Sequence, residues 1–291
     1  DALESAADKH EKDSIESIAI ARTVNKNLSL SGVRFGIATK RHPMPYDPAN
    51  FSFSYSHSSK HSDGQTLVYD NEDNWRGAIN YSWVPVYKPF EPFKKWKTKS
   101  KYADILKKWG LNYLPQNISA NTEMTRSYTE TLERDLDNLE FSNDSLVTYS
   151  SQFLWNRDFS IRWDLTKNLH LSFQSATRAE IEEPKNIRQI NKDLAPDDYV
   201  VWKDSVWQSI KRMGTPLDYN QNFNASYKLP LNMLPIFDWL NADGTYSATY
   251  HWARGSADEN GEIKYGHTIT SNRTININSS MAMEKLYNHI P

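Results

Sequence analysis

From Val147 to Leu165 the chain alternates with a period of two. Eight of the ten odd positions are apolar or aromatic, among them Phe153, Trp155, Phe159, Ile161 and Trp163. Eight of the nine even positions are polar, among them Asn156, Asp158, Arg162 and Asp164. Successive side chains of a β-strand point to opposite faces, so this pattern predicts a long strand with one greasy and one wet side. Leu169, Leu171 and Phe173 alternate with His170, Ser172 and Gln174 directly afterwards, and Thr166-Lys167-Asn168 between the two runs reads as a tight turn. The fold then depends on what faces the greasy side: a second sheet, or lipid.

The same alternation recurs along the chain. It predicts nine strands, near 28–36, 50–58, 75–85, 117–129, 145–165, 169–181, 217–229, 241–253 and 267–280. The expected fold is an all-β, antiparallel up-and-down meander of long strands with short helices in its connectors. Residues 1–20 read as a polar helical lead-in and 21–291 as the β segment. Two further helices are expected, one from Tyr102 to Trp109 and one over 197–213 after Pro196-Asp197-Asp198. Strands of globular sandwiches usually span ~5–6 residues, whereas a bilayer-crossing strand needs ~9–11.

Sidedness gives a second argument. Simple up-down alternation puts the polar tips 58–74, 130–144, 182–215 and 254–266 on one side, and 37–49, 86–115, 166–168 and 230–240 on the other. Long polar loops on one side are a feature of outer-membrane barrels. The 85–115 connector carries Lys94, Lys95, Lys97, Lys99, Lys101, Lys107 and Lys108, with Trp96 and Trp109 among them. At a periplasmic rim these residues are expected to meet headgroups or a periplasmic partner.

Composition agrees with a chain that needs only one apolar band. Mean hydropathy is -0.74 and hydrophobic residues are 38%, yet there are 10 Trp and 16 Tyr. A secreted, polysaccharide-binding β protein has a similar composition. A net charge of -2 argues against general attraction to nucleic acid. With no cysteine there are no disulfides, zinc-thiolate sites or cysteine nucleophiles. No apolar run approaches the ~18 residues of a membrane helix. Both ends read as cut from a longer chain.

No motif announces an enzyme: HExxH, GxSxG, the P-loop and GxGxxG are absent. His57 and His61 sit four apart at a strand end rather than on a helix. Asp158 and Asp164 lie on one strand face but about 20 Å apart at ~3.3 Å per residue, too far for a shared reaction. No catalytic residue, cofactor or metal is expected. The lipid-facing set is Trp75, Trp83, Phe153, Trp155, Phe159, Trp163, Tyr246, Tyr250 and Trp252, aromatics of a kind that form interfacial girdles. The lumen-facing set is Asn121, Glu123, Asn156, Asp158, Arg162, Asp164, Asn222 and Asn224, and water satisfies such groups in a wide channel.

Several strings, taken in order, resemble the SprA/Sov family, the outer-membrane translocon of the type IX secretion system. They are Pro43-Met44-Pro45-Tyr46-Asp47-Pro48-Ala49-Asn50-Phe51, Lys88-Pro89-Phe90-Glu91-Pro92-Phe93-Lys94, Asn112-Tyr113-Leu114-Pro115, Trp155-Asn156-Arg157-Asp158-Phe159, and Leu229-Pro230 with Pro235-Ile236-Phe237-Asp238-Trp239. They cover roughly residues 20–291, a slice of a much longer family chain. The resemblance implies a very large single-chain barrel in the outer membrane of a Gram-negative bacterium. Such a barrel passes folded cargo to the cell surface and serves gliding motility. It has a lateral opening, a plug and a cargo-receiving outer-membrane partner. Nine strands cannot close it, so the chain is expected to pair with the remainder of the barrel. The competing expectations are a soluble or surface-associated polysaccharide-binding sheet, and an ordinary closed outer-membrane barrel, with or without hydrolase activity in its lumen or loops.

Overall fold

The protein is described here by a computed structural model. It covers residues 20–36, 44–97, 104–134, 147–185, 195–234, 236–256 and 265–287, with 187, 190, 192 and 193. Nine strands run β1 Arg22–Arg34, β2 Phe51–Asp63, β3 Leu67–Trp83, β4 Asn117–Glu133, β5 Val147–Asp164, β6 Leu169–Glu180, β7 Thr215–Leu229, β8 Leu240–Ala253 and β9 Thr268–Met281. Three helices join them: α1 Asp104–Lys108, α2 Pro196–Lys211 and α3 Met283–Tyr287. All nine strands form one antiparallel sheet in sequence order. Its two outer strands, β1 and β9, are not paired with each other, so the sheet is open. The fold is the all-β up-and-down meander that the alternation predicts.

The ends of several elements differ from expectation, and each difference has a physical reason. The stretch 58–74 reads as a polar loop, but β2 and β3 continue through it to a turn over 64–66. The ladder there needs no apolar face, because it is held by polar rungs. Lys60 and Glu72 are register partners and form an ion pair. His57 meets Asp73 at 2.6 Å, and His61 meets Asn71 at 2.6 Å. β1 likewise starts six residues before 28, with Arg22 reaching Asp63 at 3.2 Å. In its middle, Gly32 takes φ +62° within a register shift between Leu30 and Val33. That bulge moves the apolar parity from even to odd, which keeps Val33 on the face of Leu28 and Leu30. α1 ends at Lys108, one residue before the expected Trp109, while 102 and 103 lie outside the described residues, and α3 was not expected. The 1–20 lead-in lies outside the described residues apart from Ile20.

Little of the molecule is core. The one buried apolar cluster among the described residues is Phe153, Ile181 and Val206, with Trp75, Met124, Trp155, Trp202 and Ile210 packed around it. It lies where α2 rests on the sheet. α2 ends on two consecutive left-handed residues, Met213 at φ 67° and Gly214 at φ 69°. A Cβ on Gly214 would lie 2.9 Å from the carbonyl oxygen of Glu180, so only glycine allows the chain to turn directly into β7.

Candidate membrane-facing and channel-lining surfaces

In antiparallel pairs, residues directly opposite share a face, so the register carries one surface across all nine strands. Phe53 opposes Ile79, Ile79 opposes Thr122, and Thr122 opposes Arg157. Further along, Phe159 opposes Ser175, Phe173 opposes Phe223, Tyr246 opposes Ala225, and Ile275 opposes Tyr246. Followed this way, Trp75, Trp83, Phe153, Trp155, Phe159, Trp163, Tyr246, Tyr250 and Trp252 all stand on one face. Asn121, Glu123, Asn156, Asp158, Arg162, Asp164, Asn222 and Asn224 all stand on the other. Odd and even positions exchange roles between strands, so neither set can be assembled from parity alone.

The aromatic face has no second sheet over it, since every described strand belongs to one layer. Its rings pair across strands: Phe51–Tyr81 at 5.0 Å, Phe159–Phe173 at 6.2 Å, Phe223–Tyr246 at 6.1 Å and Tyr219–Tyr250 at 6.1 Å. On the outer strand β9 the same face leaves Ile277 77% exposed. Arginines interrupt it, among them Arg126, Arg157 and Arg273. The Arg157 guanidinium lies 4.7 Å from the centre of the Trp155 ring.

Not all of this face is open. Phe153, 3% exposed, is covered by Ile181 and Val206 rather than left for a solvent to cover, and Trp75 and Trp155 pack at its edge. This corrects the expectation that Phe153 faces lipid; Trp83, 8% exposed, is buried as well, and Trp75 and Trp155 are half-buried. The reason for the cover on Phe153 is Arg126, a charge on the apolar parity of β4. Its Nε donates to Glu183 at 2.8 Å, and the two side chains are 5% and 7% exposed. Trp202 on α2 also donates its indole N–H to Glu183, at 2.5 Å, and stacks over Arg126. Sequence reading missed this latch, although a lone arginine among Met124, Tyr128 and Leu132 was the available signal.

The polar face is stitched by hydrogen bonds between register partners. Ser119 meets Ser160 at 2.6 Å, and Asn121 donates to Asp158 at 3.1 Å. Asp164 meets His170 at 2.7 Å, Arg178 meets Asp218 at 2.7 Å, and His251 meets Asn220 at 2.6 Å. Arg76 pairs with Glu123. Thus Asp158 and Asp164 each face a cross-strand partner and not one another. The face holds a shallow depression of about 440 Å³ that runs from Asn80 on β3 to Asn222 on β7. A second, of about 530 Å³, runs from Arg162 on β5 to Ser247 on β8. Serines and asparagines recur along both.

The two ends of the sheet also differ. The connection 84–116 carries eight lysines against Glu91 and Asp104, whereas 134–146, at the opposite end, carries four carboxylates against Arg134. The described parts of the lysine-rich connector, 84–97 and 104–116, are docked on the sheet. Phe90 and Leu111 form a bridge, as do Leu111 and Thr166. The Trp163 indole donates to the carbonyl of Asn112 at 2.8 Å. Glu91 takes Lys167 at 2.8 Å and Lys94 at 2.5 Å, and these two ammonium groups hold its carboxyl down at about 2. Burial pushes the Tyr87 phenol up. Trp96 and Trp109 flank Phe93, at 5.6 and 6.4 Å, and both stay exposed. Lys94 is therefore partly engaged within the connector, while Lys95 is exposed.

No protein-family model matches the chain, and no curated protein does. No helix among the described residues is long and apolar enough to cross a membrane.

Proposed function

We propose that the chain is a section of the wall of a very large outer-membrane β-barrel that conducts folded proteins to the cell surface, as the type IX translocon does. The observation that carries the reading is the apolar face, held in register over nine strands with no second sheet against it and covered by α2 over one patch. Strands of 12 to 18 residues exceed the ~9–11 that a bilayer demands. Free edges at β1 and β9 call for the remainder of a barrel, because an unpaired edge in hydrocarbon costs several kcal/mol per lost hydrogen bond. The mechanism is geometric. Outward aromatics rest in outer-membrane lipid, and the serine- and asparagine-rich face keeps a wide lumen wet. Cargo passes without any bond being made or broken, gated by a plug and received by an outer-membrane partner.

The test uses the absence of native cysteine. Asn156→Cys and Phe159→Cys are introduced separately and probed in outer-membrane vesicles with a membrane-impermeant maleimide. The first is expected to react and the second to be protected, and a bulky adduct at Asn156→Cys is expected to slow cargo release. Equal reactivity at both sites, or a chain that stays monodisperse in buffer without detergent, sinks the reading. The latter result returns the polysaccharide-binding alternative.

A further inference from the structure

At the lysine-rich end, the aromatic face runs into a bay of about 570 Å³. Its floor is Leu169 and Tyr227, directly opposite each other on β6 and β7 and both on the aromatic face. Trp109 walls one side and Met233 the other. Lys108 and Lys167 stand among these apolar side chains. The bay is built, not incidental. Glu91 ties Lys167 to the docked connector, and a Cβ on Gly110 would press within 3.2 Å of the Glu91 side chain. Lys167 shares its carboxylate with Lys94, so the pair of lysines and Glu91 keep one positive charge between them.

An apolar trough continuous with the membrane-facing surface and edged by two ammonium groups matches one chemistry, an acyl chain attached to a phosphate. We propose that this bay is a binding site for an anionic glycerophospholipid of the inner leaflet. One chain lies over Leu169, Tyr227 and Met233, and the phosphate sits between Lys108 and Lys167. The Trp109 indole sits at the interface level, where its ring is favoured. The inference rests on the membrane reading above and adds to it a ligand and a place.

The test is native mass spectrometry of the full chain released from mixed phosphatidylglycerol and phosphatidylethanolamine bilayers. Retention of phosphatidylglycerol over phosphatidylethanolamine is expected, with one lipid held per chain. Each lysine beside a headgroup is worth about fivefold in affinity, so Lys108→Glu and Lys167→Glu should each lower retention by at least that factor. Tyr227→Ser should lower it without altering the preference for charge. Lys95→Glu, outside the bay, should leave it unchanged. Equal retention of both lipids, or an equal loss on Lys95→Glu, overturns the site and leaves the membrane reading standing. A chain that never enters the bilayers fails that reading first, and the two failures are thereby told apart. Because Lys108 is exposed, its variant keeps the fold and remains informative.

Discussion

Two patches of the same face behave differently. At the α2 end of β3 to β5, the aromatic face is closed by the helix, and Phe153 lies beneath Ile181 and Val206. At the outer edge, on β9, the same face presents Ile275 and Ile277 with nothing against them. The first patch is a small protein core in miniature and the second is a surface that folding alone does not satisfy. Residue chemistry does not separate them, since both are aromatic or aliphatic. The difference lies in Arg126. Arg126 is buried with a carboxylate, Glu183, and a helix shields the pair. A small change in one strand thus decides whether a patch meets protein.

The sharpest way to break this comparison is Arg126→Ala. It strands a buried Glu183 and should cost about 3–5 kcal/mol, with α2 amides exchanging hydrogen as if the helix had been released. Replacing both residues by leucine should recover most of that loss. If α2 stays protected in the single variant, the latch is not what holds it. Phe153→Ala should cost about 3 kcal/mol of unfolding free energy in a urea titration, because it opens a cavity under protein. Ile277→Ala should change the same free energy far less, because that side chain is 77% exposed. Equal losses would show that the two patches are not distinct environments.

The connector offers a third contrast, this time with pH. The Glu91 carboxyl is held at about 2, below its ordinary value of ~4.3, by Lys167 and Lys94. Its contribution is therefore fully present above that ordinary value and is lost as pH falls toward 2. Trp96 fluorescence should report loosening of the connector across that window, and Glu91→Gln should remove the transition. The smallest effect is expected on the wet face. Arg76→Gln breaks an ion pair with Glu123 whose arginine is half exposed, and should cost less than about 1 kcal/mol. A loss rivalling that of Arg126→Ala would mean that this face is not bathed in water.

Much of the architecture could be read from alternation. Nine strands, their order and the two-sidedness of β5 follow from period two, because that period has one structural meaning. Alternation failed where another force holds the ladder. In 58–74 the rungs are Lys60 with Glu72 and His61 with Asn71, which look like loop residues until they are paired. The latch of Arg126, Glu183 and Trp202 spans 57 residues between its first two members and no motif links them. The bay likewise draws on 108, 167, 169, 227 and 233, which only the sheet brings together.

The order of residues by itself determined that this chain builds long strands with one apolar and one polar side, since side-chain direction in an extended backbone is set locally. Tertiary structure alone decided which odd and even positions share a face, because register and bulges such as that at Gly32 are properties of pairs. It also decided that part of the apolar surface is covered by α2 and the rest is not, because desolvating Arg126 depends on partners distant in the chain.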